Sequence, residues 1–290
     1  MSVVVEQIIN GLMSGCIYAL IAIGLTMVYG ILHVINLAHG EIYMIGAFVA
    51  FFFYAATGSY ACAVAGAVIV TTLVGVLIER LVFRPLVNQP RINALIASVG
   101  LSLVLSNIAL VLSGGSSRFY VTPLASHIVH IGFMSVAAQR LLIVAVTVVL
   151  IIVLTVFYQW SRLGKALRAA AQDLEACSLV GIEPRRLIVI TFMLGAGFAG
   201  LAGSLLSPIY TITYDMGLLA VMKAFAVVII GGFGNIPGTI LAGFLLGIAE
   251  SMGGGFVSPT YQDSIVFVIL AVALMIRPTG LIGERVEENI

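Results

Sequence analysis

Apolar residues fill long, nearly unbroken stretches of this chain, and polar residues are confined to the gaps between them. The stretches run over 3–30, 42–57, 60–78, 92–112, 141–159, 187–210, 218–232, 237–256 and 262–276. A hydrocarbon core of roughly 30 Å needs about 20 apolar residues per helix, so most of them can cross a bilayer. Those at 218–232 and 262–276 are short and predict tilted, partly inserted or half-membrane helices. Barrel strands would alternate apolar and polar positions over segments of about ten residues. Runs such as LLIVAVTVVLIIVLTVFY (141–158) do not alternate. The fold class read from this pattern is all-α: one transmembrane domain over 1–290, a polytopic bundle of about eight helices with broken or re-entrant segments. The first stretch lacks a basic leader and a cleavage site, so it reads as a retained helix and not a signal peptide.

Composition leaves the same solvent. The 290 residues are 61% hydrophobic and 9% charged, with a mean hydropathy of +1.20, where soluble domains carry about 25% charged residues. A net charge of +1 argues against a nucleic-acid partner. Cys16, Cys62 and Cys177 are scattered and suggest neither a disulfide framework nor a metal site.

The gaps carry the charge. ERLVFRPLVNQPR (79–91) reads as a basic loop. A second polar segment, RLGKALRAAAQDLEACSLVGIEPRR (162–186), holds five of the thirteen basic residues and three of the twelve acids. Arg277 and Arg285 follow the last stretch. The positive-inside rule puts these three segments in the cytoplasm. Alternation then places 113–139 outside, with the N-terminus outside too, provided that 31–41 is a true turn.

Two interruptions, HVINLAHGEI (33–42) and GGFGNIPGTI (231–240), set an Asn and a Gly between apolar segments; breaks in two halves of a transporter point to a solute path. The pairs Gly11/Gly15 and Gly243/Gly247, and the run Gly195, Gly197, Gly200, Gly203, put small residues on helix faces. Such faces serve close helix packing or sliding surfaces.

Four segments in this order carry a resemblance: ALIAIGLTMVYGILHVINLAHGEIYMIGAF (19–48), ERLVFRPL (79–86), SRLGKALRAAAQDLEACSLVGI (161–182) and KAFAVVIIGGFGNIPGTILAGFLLGIAE (223–250), closed by RPTG (277–280). From about Gly11 to Gly283 the chain resembles permease subunits of branched-chain amino acid ABC importers, of the LivH type. Glu175-Ala176-Cys177 followed by Gly181 resembles the EAA-x-x-x-G element that such permeases insert into their ATPases. Cys177 stands where the second Ala belongs, and the downstream Ile-x-Leu-Pro is missing. The resemblance implies an ATPase-coupling role for Arg168, Asp173, Glu175, Ala176 and Gly181. It also implies a second, homologous permease forming a heterodimer, two cytoplasmic ATP-binding subunits, a periplasmic substrate-binding protein, and a bacterial inner membrane with its lipids.

The chain has no engine of its own. Its one Gly-Lys pair, Gly164-Lys165, is followed by Ala and has Gln159 where a phosphate-binding loop needs its first Gly. HExxH and GxSxG are absent as well, so the reading is a non-catalytic subunit without a cofactor.

Charged residues inside spans are functional candidates by default. Lys223 and Glu250 fall at similar depth near the outer side and are expected to pair; the rival reading has them grip a solute's carboxylate and ammonium. His39 and Glu41, with His33 nearby, sit on the parity argument near the cytoplasmic face, as a structural turn or an inner gate. Asn36 and Asn235 are expected to satisfy backbone groups freed at the breaks, beside a translocation path shared with His39 and Glu41. Asp215 and Asp263 read as solvated loop or helix-start residues, or as contacts for the binding protein. A gradient-driven secondary transporter, the runner-up, should place an acid at mid-depth, and none reads there. Family permeases for urea and short amides leave the solute open.

Overall fold

A computed structural model describes residues 2–131, 134–277 and 279–282. The helices are α1 (Ser2–Leu32), α2 (His39–Thr57), α3 (Tyr60–Ile78), α4 (Arg91–Ser113), the single turn α5 (Pro123–Ser126), α6 (Ala138–Trp160), α7 (Arg162–Gln172), α8 (Leu174–Leu179), α9 (Pro184–Leu206), α10 (Met216–Gly231), α11 (Ile236–Phe256) and α12 (Gln262–Ile276). Two short strands, β1 (Ile128–Ile131) and β2 (Met134–Ala137), pair antiparallel between α5 and α6. Among the described residues, eight helical segments are long and apolar enough to cross a membrane, the eighth being α12 together with the 3₁₀ turn before it (Pro259–Ile276), and α10 is a shorter apolar one.

α1 is the axis of the bundle. It packs on α11, α9 and α10, and its middle residues from Cys16 to Ile23, apart from the partly buried Tyr18, are fully or almost fully enclosed. Lipid offers no hydrophobic drive between helices, so close contact relies on small residues. A methyl group on Gly11 would stand 2.5 Å from the Ile248 backbone, and one on Gly15 would stand 2.9 Å from that of Phe244; Gly247 faces both glycines in return. On α9 the run of glycines meets three partners: Gly195 lies against Gly24 of α1, Gly200 against Thr71 of α3, and Gly203 against Tyr43 of α2.

The bundle has two unlike ends. At one end Arg140, opening α6, bonds Asn10 of α1, Arg118 bridges Ile212 after α9, and Tyr54, late in α2, stacks on Tyr120 at 4.9 Å between ring centroids. The 113–139 segment covers this end. At the other end lie the 79–91 and 162–186 segments, and there the Leu281 amide donates to the Ile230 carbonyl at the foot of α10 (2.7 Å).

Two expectations need correction here. The 79–91 segment is not mainly a loop: α3 continues through a π-helical turn (Glu79–Phe83) and a 3₁₀ turn (Arg84–Leu86). Glu79 is buried, and Arg84 reaches back to it at 3.2 Å. The 31–41 segment is not a surface turn either. α1 ends at Leu32, His33 adopts φ +54°, and residues 34–38 run back into the bundle, where the Leu37 amide and the Ile35 carbonyl both bond the Ser98 hydroxyl of α4. α2 therefore starts at depth and finishes at the 113–139 end, the same end as the start of α1.

Candidate functional site

A polar cluster among the spans is built on α10. Lys223 lies seven residues into that helix, about 10 Å from its start, with its side chain nearly enclosed. Its ammonium donates to Glu250 Oε1 of α11 at 2.8 Å, to Asp263 Oδ1 in the first turn of α12 at 2.5 Å, and to the Tyr18 hydroxyl of α1 at 3.1 Å. Four helices thus converge on one cation. The sequence pointed to Lys223 and Glu250 and missed Asp263, which is a helix-start residue but not a freely solvated one. Gln262 adds a bond to Glu250 Oε1 at 3.3 Å, whereas Oε2 has no hydrogen-bond partner among the described residues.

These side chains border a cavity of about 490 Å³ between α1, α2, α9, α10, α11 and α12. Ile17, Ile21, Leu206, Met216 and Leu219 make its apolar wall; Tyr18, Tyr43, Tyr210, Asp215 and the ion cluster make the polar one. The 210–216 loop closes over it at the 113–139 end. Small-molecule sites usually enclose about 300–1,000 Å³ with mostly apolar walls and a few fixed polar groups, and this cavity has that character.

The residues at the first break sit deeper than their sequence position suggests. The His39 ring bonds the Ile21 carbonyl at 3.2 Å, about 16 Å of helix away from the end of α1 at Leu32. Glu41 is buried, its Oε1 accepting from the Ser102 hydroxyl at 2.9 Å, while Oε2 lies against Gly217 of α10 without a hydrogen-bond partner among the described residues. An acid does stand at mid-depth, contrary to the sequence reading, because the chain re-enters before α2 begins. Asn36 is also fully buried, but neither its amide nitrogen nor its oxygen finds a partner among the described residues, so its side chain does not serve the freed backbone. His33, nearer the basic end, is held below the usual histidine range by partial burial and the Arg91 guanidinium.

At the second break Asn235 does satisfy freed backbone groups. Asn235 caps α11 by accepting from the Gly238 amide at 2.8 Å, and its own amide donates to the Ile282 carbonyl at 3.0 Å. The second break packs against the last turns of α1 at the basic end, where Tyr29 lies on Phe233 with ring centroids 4.4 Å apart. Among the described residues no group of three or more His, Cys, Asp or Glu side chains is close enough to hold a metal ion.

The 162–186 segment forms a knob. Ser161 caps α7 through the Gly164 amide (2.8 Å), and α7 lays Leu167 and Ala170 against the bundle. Arg168, exposed, donates to the Gln159 carbonyl at 3.2 Å. Asp173 breaks the helix and caps α8, accepting from the Glu175 and Ala176 amides at 2.9 Å each. α8 ends in a paired reverse bond: the Ile182 amide reaches the Cys177 carbonyl (3.0 Å) and the Gly181 amide that of Ser178 (3.3 Å). Gly181 takes φ +81°, where a side chain would be strained. Cys177 anchors the knob inward, whereas Leu179 and Val180 are 87% and 74% exposed on an otherwise polar segment.

Residues 7–275 match the sequence model of a family described as the branched-chain amino acid transport system permease component. The chain is 39% identical over 300 aligned residues to the high-affinity branched-chain amino acid transport system permease protein LivH of Escherichia coli K12, covering 98% of this chain and 97% of that one. It is 38% identical to the corresponding protein BraD of Pseudomonas aeruginosa, over 98% and 97% of the two chains. A shorter match, 28% over 151 residues, joins half of this chain to 35% of the permease protein LivM of E. coli K12. The helical membrane bundle described above thus belongs to the family of branched-chain amino acid transport permeases.

Proposed function

We propose that this chain is the membrane-crossing permease subunit of an ATP-driven importer for branched-chain amino acids or closely related amphipathic solutes. It works in the inner membrane of a bacterium, with the basic end in the cytoplasm and the N-terminus outside. A periplasmic binding protein delivers solute at the 113–139 end, and a second, related permease, of the kind the LivM match suggests, completes the path. The chain performs no covalent chemistry; two ATP-binding subunits supply the work.

The observation that carries this reading is the knob at α7–α8. It is capped at both ends, anchored by Cys177, and displays Leu179 and Val180 to whatever lies below the membrane. Exposed large apolar residues on a rigid polar projection mark a protein contact, and a solute carrier driven by an ion gradient has no use for one. Arg168, Asp173, Glu175, Ala176 and Gly181 act here, three of them by shaping the knob. The cavity beside Lys223 and Glu250 is the solute's way in, and the re-entrant segment with Asn36, His39 and Glu41 lines the step beyond it. Asn235 fixes the second break at the inner end.

The test is transport by the assembled complex in vesicles with the binding protein outside and ATP inside. Leucine uptake that needs both ATP and an intact knob supports the proposal. The buried, half-satisfied carboxylate of Glu41 favours the gradient-driven alternative. Uptake that ignores ATP and collapses when the proton or sodium gradient is removed would establish it.

A further inference from the structure

The cavity is charged lopsidedly. Among its lining residues Lys223 is the sole base, set against the three acids Asp215, Glu250 and Asp263, so its formal charge is two units negative. Lys223 is already saturated, with two carboxylates and the Tyr18 hydroxyl as acceptors. Glu250, in contrast, keeps a buried Oε2 with no partner among the described residues, on a side chain only 3% exposed. An unpaired carboxylate oxygen in such a place costs free energy until a donor arrives. What the site lacks is a cationic donor, not an acceptor, and Ile17 and Ile21 give the same cavity an aliphatic wall.

We infer that the cavity is an ammonium-selecting site. It takes the α-ammonium of an aliphatic solute between Glu250 and Asp263, with the hydrocarbon side chain on Ile17 and Ile21. The membrane subunit then discriminates for itself, accepting amino acids and rejecting neutral amides or simple carboxylates of the same shape. This rests on the proposed transport function and narrows its solute class. The rival in which Lys223 grips the carboxylate is disfavoured because that ammonium has no free donor direction left.

Three small probes separate the possibilities on the assembled transporter in lipid nanodiscs without binding protein: leucine, leucinamide, which keeps the ammonium and loses the acid, and 4-methylpentanoate, which does the reverse. Saturation-transfer NMR detects such weak binding directly. Leucine and leucinamide should receive saturation and 4-methylpentanoate should not. Asp263→Asn, at a half-exposed position that threatens folding little, should weaken both ammonium compounds about tenfold, the loss of one charge-assisted hydrogen bond. Glu250→Gln should weaken them further. Equal signals from all three probes, a preference for 4-methylpentanoate, or an unchanged response in Asp263→Asn would overturn the inference. Vesicle uptake keeps the two proposals apart: leucine uptake with no ammonium preference in the NMR fails only the selectivity, whereas a transporter that moves no branched-chain amino acid fails both.

Discussion

Gly15 of α1 and Gly247 of α11 face each other so closely that a methyl group on Gly247 would press into the Gly15 backbone. The approach is possible only because neither carries a side chain, and it lets Thr26 and Thr239 join hydroxyl to hydroxyl at 2.9 Å further along the same pair of helices. Gly100 on α4 is the natural contrast, with open space where its Cβ would be.

Gly247→Ala should therefore destabilise the purified protein by about 1–3 kcal/mol, the range for overpacking a tight contact. Gly100→Ala should stabilise it by about 0.5–1 kcal/mol, the helix-propensity gain alone. Thermal unfolding in detergent measures both, and equal effects would mean that α1 and α11 do not meet as described.

Lys223→Met strands Glu250 in the bundle, and breaking a buried pair from one side typically costs about 3–5 kcal/mol. The double variant Lys223→Met/Glu250→Met should recover part of that loss. A double variant as unstable as the two single changes added together would show that the residues do not depend on each other.

Asp173→Ala removes a cap worth about 1 kcal/mol to α8, and Gly181→Val puts a β-branched residue at φ +81°, where L-residues pay roughly 1–2 kcal/mol. Both lie outside the spans, so the bundle should unfold at an unchanged temperature. ATP hydrolysis by the assembled complex should lose its stimulation by solute-loaded binding protein. Normal stimulation in both variants would remove the knob from the coupling path.

His33 takes a left-handed conformation without being glycine. His33→Asn should be tolerated, because Asn enters that region readily, whereas His33→Val should destabilise the re-entrant turn and slow transport. Indistinguishable behaviour of the two would mean that the turn is not held in that conformation.

Much of the fold was legible because lipid imposes long apolar helices, and the facing glycine pairs were readable for the same reason. Depth was not legible. His39 and Glu41 follow a break that looks like a surface turn; whether the chain stays at the surface or re-enters depends on Ser98 of α4 receiving the Leu37 amide, a partner 61 residues away. Glu79 and Arg84 look like loop charges because local composition does not reveal a helix continuing through a π turn. Asp263 was missed for a similar reason: its tie to Lys223 depends on how α10 and α12 approach each other, which no local spacing records. At the knob, the stretch Glu175-Ala176-Cys177 and Gly181 was readable through the family resemblance, whereas the caps made by Ser161 and Asp173 emerge only in the structure.

The most direct measurement is a photo-crosslinking residue placed at Val180 in the living cell, followed by purification of the tagged chain and mass spectrometry of what it has captured. Coupling through the knob predicts a covalent adduct with an ATP-binding subunit, together with recovery of a second permease. A chain that crosslinks to no ATP-binding protein and purifies alone would contradict the ATP-driven mechanism.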